Sequence, residues 1–313
     1  MHQPPLTSRR EVMWGSASLL LLAACGGDRG AQETLAERVA YKRQAGQPEV
    51  GIQTYTIREA MEEDTGAALR MLREVGYDFV ETNDRDFTRI SMGELVSALR
   101  DADLPVAATH IGYEAFRDEP GLAADQANTL GAKYAILSWT PEEFRSTAGY
   151  RKMAARFNEV GDFMLGEGLR FAYHNHHFEF WPVDDGPRSG MEIYLDETDP
   201  QKVWFELDMF WTSLAGEDVA EFFRRYPGRF KLCHIKDMVT ANRTANAERS
   251  LDFGAIHKNL MVNVGEGNLP FERWLQMSDV SGMEYLITEH DAPPAPLRDS
   301  VALSLKTVRG YDI

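Results

Sequence analysis

The sequence predicts one (β/α)₈ barrel, and three observations carry that prediction. Short apolar runs alternate with helical segments along the whole body of the chain. Four of these runs, Phe171 to Glu179, Phe205 to Asp208, Lys231 to Asp237 and Tyr285 to Asp291, end in side chains that can bind a metal ion. Buried strands that turn polar only at their C-terminal ends are how a parallel barrel builds an active site. The body after the N-terminal segment is roughly 265 residues, a typical size for one such barrel.

The first element lies outside the barrel. Arg9-Arg10 precedes an apolar stretch from Val12 to Ala24 that is short for a membrane span. That stretch ends in Leu22-Ala23-Ala24-Cys25-Gly26, which resembles a bacterial lipobox. Residues 1–24 therefore read as a lipoprotein signal peptide, with Cys25 as the lipidated first residue of the mature chain. The arginine pair allows twin-arginine export; Glu11 and Met13 depart from that pattern and leave the general secretory route open. Residues 25–47 are polar and Ala/Gly/Glu-rich, a composition suited to a flexible tether. The barrel is expected over 48–313. This places the protein in the cell envelope, held to the membrane by lipid. With Cys25 lipidated, only Cys233 remains, so no internal disulfide is expected.

Val50 to Tyr55 opens the barrel. A helical face follows at Ala68, Leu69, Leu72 and Val75, stopped by Gly76. Tyr77–Glu81, Val106–His110, Tyr134–Leu137 and Leu169–Tyr173 continue the strands, with helices around 91–101, 121–130 and 150–167 between them. Val203–Leu207, Phe230–Cys233 and Glu284–Ile287 bring the strands to about eight. Residues 238–268 exceed an ordinary βα loop; in a barrel such an insertion lies over the C-terminal face, as part of a wall covering the substrate.

Composition narrows the partners. A net charge of −16 argues against nucleic acid, whose binding needs a basic face, and makes highly phosphorylated substrates less suitable.

Five motifs then come in order. They are Gly51-Ile52-Gln53-Thr54-Tyr55 with Gly76 to Glu81, Tyr173 to Phe180, Glu206-Leu207-Asp208, His234-Ile235-Lys236-Asp237 with Gly265-Glu266-Gly267, and Thr288 to Asp291. Together they resemble the xylose isomerase-like TIM-barrel superfamily, in its sugar phosphate isomerase/epimerase group, over residues 49–312. The resemblance implies a divalent metal (Mn, Co, Zn or Mg) held by Glu, Asp, His and Glu from strands five to eight. Asp208, His234 and Glu289 match three of those positions. At strand five this chain has His174 or His176 where many members have Glu. Glu179, a few residues on, is expected to return the carboxylate, with either histidine as the alternative ligand.

The chemistry expected is proton abstraction next to a carbonyl. A metal on a carbonyl and its neighbouring hydroxyl acidifies the adjacent C–H, and a base removes that proton. His176 is the candidate base, because an imidazole works in both directions near neutral pH; Glu289 and Glu179 are alternatives. Lys236 shares a strand face with His234 and can stabilise an oxyanion. His110, Glu81 and His174 are the candidate substrate-binding residues. Trp139, Trp181, Phe210 and Trp211, near strand ends, are candidates for stacking on a sugar. His177 and Cys233 alternate away from the site.

The leading reading is thus an exported, metal-dependent sugar isomerase or epimerase acting on a small carbohydrate. Sugar phosphates are scarce outside the cytoplasm, which favours a neutral sugar or keto-sugar. β-Elimination or hydration of a 3-keto-glycoside is the runner-up, and a carbohydrate-binding lipoprotein without catalysis is the third reading. The superfamily's endonuclease branch conflicts with the acidic charge.

Overall fold

The computed structural model describes residues 49–313. The expected signal peptide, Cys25 and the tether lie outside the described residues.

Eight parallel strands close into a barrel: β1 (Val50–Gln53), β2 (Phe79–Asn83), β3 (Val106–His110), β4 (Tyr134–Leu137), β5 (Arg170–His174), β6 (Val203–Asp208), β7 (Phe230–Ile235) and β10 (Tyr285–Thr288). Neighbours in the ring follow chain order, and β1 closes it by pairing with β10 through Val50–Leu286 to Ile52–Thr288. Two short strands, β8 (Asp237–Met238) and β9 (Met261–Val262), pair antiparallel and clamp the two ends of the long insertion. Expected and observed strands differ by a residue or two. The largest shift is at β2, expected over Tyr77–Glu81 and found over Phe79–Asn83; at β1, Thr54–Ile57 forms a 3₁₀ turn that feeds straight into the helix Arg58–Val75.

The outer helices start and stop for local reasons. Ser91 and Glu94 form a reciprocal capping box on Met92–Asp101. Gly76 ends the first helix at φ 114°, a left-handed conformation open to glycine. Between the helices and the ring lies the larger apolar core, which includes Leu72, Leu99, Phe157, Tyr194 and Phe223.

The interior of the ring is layered. Near its N-terminal end Phe79, Tyr134 and Tyr285 meet edge-on, with Ala108, Ile136, Ala172, Leu232 and Ile287 filling the level with them. Gly51 belongs to this layer by necessity, since a Cβ there would lie 2.1 Å from the Phe79 ring. Two residues further along six of the strands, inward positions turn polar: Gln53, Glu81, His110, His174, Glu206 and His234. Period-two alternation therefore sets a polar layer on top of an apolar plug, at the C-terminal mouth.

Candidate metal centre and active-site cavity

The polar layer is built around two buried carboxylates. Glu206 Oε2 has His110 Nε2 at 2.8 Å, His174 Nδ1 at 3.0 Å and His234 Nε2 at 3.2 Å. Glu81 Oε1 has His234 Nε2 at 2.6 Å and His110 Nε2 at 3.1 Å, and accepts from Gln53 Nε2 at 2.6 Å. Burying an unpaired carboxylate is costly, and this network supplies the partners that make it tolerable. Burial opposes charge on His110, but Glu81 and Glu206 outweigh it and push that imidazole up to about 10. His174, more deeply buried and beside three other imidazoles, is held well below the ordinary histidine value and is neutral.

One step above, three strand ends converge. Asp208 closes β6, His234 sits on β7 and Glu289 follows β10; their ligand atoms lie within 4.8 Å of one another. His234 Nδ1 is 2.7 Å from Glu289 Oε2 and 3.9 Å from Asp208 Oδ2. Asp208 Oδ2 and His234 Nδ1 are buried with no hydrogen-bond partner. Held only by ion-pair contacts, these two atoms and Glu289 make an oxygen and nitrogen donor set that fits a divalent ion. His174 adds a fourth direction, with Nε2 3.9 Å from Asp208 Oδ2.

Lys236 comes to the same place, as the alternation predicts. Its Nζ is 2.7 Å from Glu289 Oε2 and 3.2 Å from both Asp208 Oδ2 and Asp291 Oδ2. Burial works against its charge, but Asp291, Glu289 and Asp208 together hold the ammonium well above its usual value. Asp208, pushed up by burial and pulled back by Lys236 and His234, titrates at about 6.

Glu179 departs from expectation, because the structure does not bring it to this group. After β5 the chain turns through Phe178–Phe180, and the carboxylate accepts from the His176 N–H at 2.8 Å and from the Tyr173 hydroxyl. Tyr173 alternates outward from His174 and packs on Phe157 and Tyr194 in the helical layer. Glu179 follows it there, where burial raises its pKa to about 7. The strand-five position nearest Asp208 belongs to His174 instead.

His176 lines the cavity above the metal ligands, with Trp139, Phe178, Trp211 and Phe253 around its ring at 5.4–5.7 Å. Burial, then Lys236, keep it well below the ordinary histidine value, so the ring is neutral. The cavity holds about 380 Å³. Its walls include His110, His174, Lys236, Glu289 and the buried Trp211, with Tyr55 and the exposed Trp139 also lining it. The insertion contributes Phe253 and His257, as expected of a covering wall. It is tied down by His177 Nε2 on the Ser250 carbonyl at 2.7 Å and Trp181 Nε1 on the Glu248 carbonyl at 3.0 Å. His177 and Trp181 thus hold the lid rather than face the cavity, Phe210 is core, and Cys233 is buried on the far side of β7.

The sequence motifs contained Glu206 and Asp291 but assigned neither a role in the site. Glu206 had a signal, because it lies two residues before Asp208 and so on the same strand face. Asp291 lies beyond the end of β10, where alternation no longer predicts direction.

A family profile described as xylose isomerase-like TIM barrel matches residues 69–307. Among curated proteins, the chain is 29% identical over 150 residues to an inosose dehydratase of Lacticaseibacillus casei, covering 47% of this chain and 48% of that one. It thus spans about half the length of the curated relatives it matches. Among solved structures, a sugar phosphate isomerase/epimerase of Parabacteroides distasonis superposes with a TM-score of 0.70 at 22% identity, covering 88% of this chain and 98% of that one. A zinc-bound IolI protein superposes with a TM-score of 0.62 at 16% identity, covering 84% and 99%. With a profile match over most of its length and the closed barrel on which that match lies, the chain belongs to the xylose isomerase-like TIM barrel family.

Proposed function

We propose that this protein is a metal-dependent enzyme that removes a proton α to the carbonyl of a sugar or keto-sugar. The observation that carries the reading is the convergence of buried Asp208, His234 and Glu289, their ligand atoms within 4.8 Å of one another, beneath an open cavity. Asp208, His234 and Glu289 would hold the ion, with His174 as fourth ligand in the role first expected of Glu179. A divalent ion there supplies Lewis-acid polarisation of a carbonyl and its neighbouring hydroxyl. The zinc-bound neighbour supports a metal on this fold.

The chain's own residues do the rest. Lys236 places a fixed positive charge beside the ligands, where it stabilises an oxyanion developing on the substrate. His176, neutral and walled by aromatic rings, takes the α-proton. His110 and Glu81 orient the ligands from below and meet the substrate only through the His110 edge. Trp139 and Phe253 offer aromatic faces to the sugar ring and exclude water.

Two fates of the deprotonated substrate follow. Returning the proton elsewhere makes an isomerase or epimerase; expelling a β-substituent makes a dehydratase or lyase. The inosose dehydratase relatives favour elimination, and the runner-up elimination from a 3-keto-glycoside is the same step on a larger substrate. A neutral substrate fits the acidic chain and an exported, lipid-anchored location. The test is metal-loaded protein with sugars, keto-sugars and inososes in deuterated water. Deuterium in a product of unchanged formula assigns isomerisation, and loss of water or an aglycone assigns elimination. Tight binding of a sugar with no exchange at any carbon would leave only the binding-protein reading.

A further inference from the structure

The carboxylate of Glu206 receives three imidazoles on one oxygen, and what it does to two of them reaches the metal centre. A carboxylate only accepts hydrogen bonds, so each ring nitrogen turned to it must carry the proton. For His174 that nitrogen is Nδ1, at 3.0 Å, which leaves the Nε2 lone pair facing Asp208. For His234 it is Nε2, at 3.2 Å and shared with Glu81, which leaves Nδ1 toward Asp208 and Glu289. The two rings lie 4.6 Å apart at 61° and enter from adjacent sides. Glu206 itself is fully buried, on β6 two residues below Asp208, so ligand and anchor ride on one rigid strand.

We propose that Glu206 is the positioning residue of this centre: it fixes the proton of His174 on Nδ1 and, together with the shorter hydrogen bond from Glu81, that of His234 on Nε2, and so aims the opposite nitrogens at the ion. The inference rests on the metal reading above for its purpose, but not for its geometry. A neutral imidazole brings no charge of its own to a cation. A hydrogen-bonded carboxylate behind it raises its basicity and locks its rotation, the usual arrangement behind metal-ligating histidines. Here one carboxylate serves two ligands, with Glu81 assisting at His234 and His110 filling the third approach.

The test has two readouts. Long-range ¹H–¹⁵N spectra of the metal-free protein, with His174 assigned by its Gln variant, should show the Nδ1–H form. An Nε2–H form would overturn the proposal, whether or not the protein binds metal. Next, Co²⁺ and Zn²⁺ are titrated against a competing chelator into wild type and Glu206→Gln. Folded Glu206→Gln should bind on the order of 10–100-fold more weakly, with an altered Co²⁺ absorption spectrum. Glu206→Asp, which keeps the charge, should recover part of the affinity. Unchanged affinity and spectrum in Glu206→Gln would overturn the proposal. Should Glu206→Gln not fold, the wild-type tautomer still decides. A wild type that shows Nδ1–H at His174 yet takes up no metal refutes the metal reading and leaves the positioning by Glu206 standing.

Discussion

Adjacent residues on one strand have opposite fates here, and that makes the metal centre testable at the level of single side chains. His234 faces the barrel axis while Cys233 is sealed against the helical layer. Asp208→Ala and His234→Ala should each lose bound metal in elemental analysis, and Cys233→Ala should keep it. Glu179→Gln should also keep it, because that carboxylate is committed to Tyr173 and the His176 N–H; metal loss there would return Glu179 to the ligand set. Proton competition gives a second expectation. Burial works against charge on His234, but Glu206 and Glu81 outweigh it and raise the imidazole well above the ordinary histidine value, so an ion must displace a proton there at neutral pH. Asp208 takes up a proton as pH falls through about 6. Metal affinity should therefore rise by about tenfold per pH unit above that point and fall more steeply, toward about a hundredfold per unit, below it. Calorimetric titration from pH 5 to 8 measures this, and a pH-independent affinity would rule out both ligands. For the base, His176→Gln should retain metal while turnover and solvent-deuterium exchange drop together, on the order of 10²–10⁴-fold. Exchange that survives in this variant would pass the role to Glu289.

Among the elements, the insertion after β7 owes its placement to one acid. Asp237 accepts four backbone N–H groups, from Met238 at 2.8 Å, Gly265 at 3.0 Å, Gly267 at 3.1 Å and Leu269 at 3.2 Å. That gathers the Gly265-Glu266-Gly267 turn against β8 and brings the insertion back over the barrel. A Cβ on Gly267 would sit 2.2 Å from Asp237 Oδ1 and 2.4 Å from the Met238 carbonyl. Gly267→Ala should thus cost about 1–3 kcal/mol of stability and raise KM by loosening the wall that carries Phe253 and His257. Metal occupancy should be unchanged, since no ligand lies on that loop; metal loss would show that the loop supports the centre. The strands, the length of this insertion and the convergence of Asp208, His234 and Glu289 were legible in the sequence because each depends on local periodicity or chain order. Glu179 was misplaced because a 3₁₀ turn, Phe178–Phe180, reverses the chain within four residues of β5, which alternation does not foresee. Glu206 was readable by that same alternation but was hidden by its neighbour Asp208, the residue with the obvious role. The hydrogen bonds from His177 and Trp181 to the insertion join residues about seventy positions apart, and no local pattern announces them.

At the scale of the whole molecule, parallel strands put every N-terminal end of the barrel at one side and the Asp208, His234 and Glu289 group at the other. Among the described residues no helix is long and apolar enough to cross a membrane. The lipobox ending in Cys25 gives the proposed lipid anchor a test of its own. Cys25→Ser should accumulate unprocessed precursor and lose incorporation of labelled fatty acid in growing cells. The barrel's thermal unfolding and metal content should match wild type, because nothing in the ligand set depends on that residue. Full lipid labelling of the Cys25→Ser protein would rule out Cys25 as the lipid site; no labelling of the wild type would remove the anchor, and with it the argument for a neutral extracytoplasmic substrate.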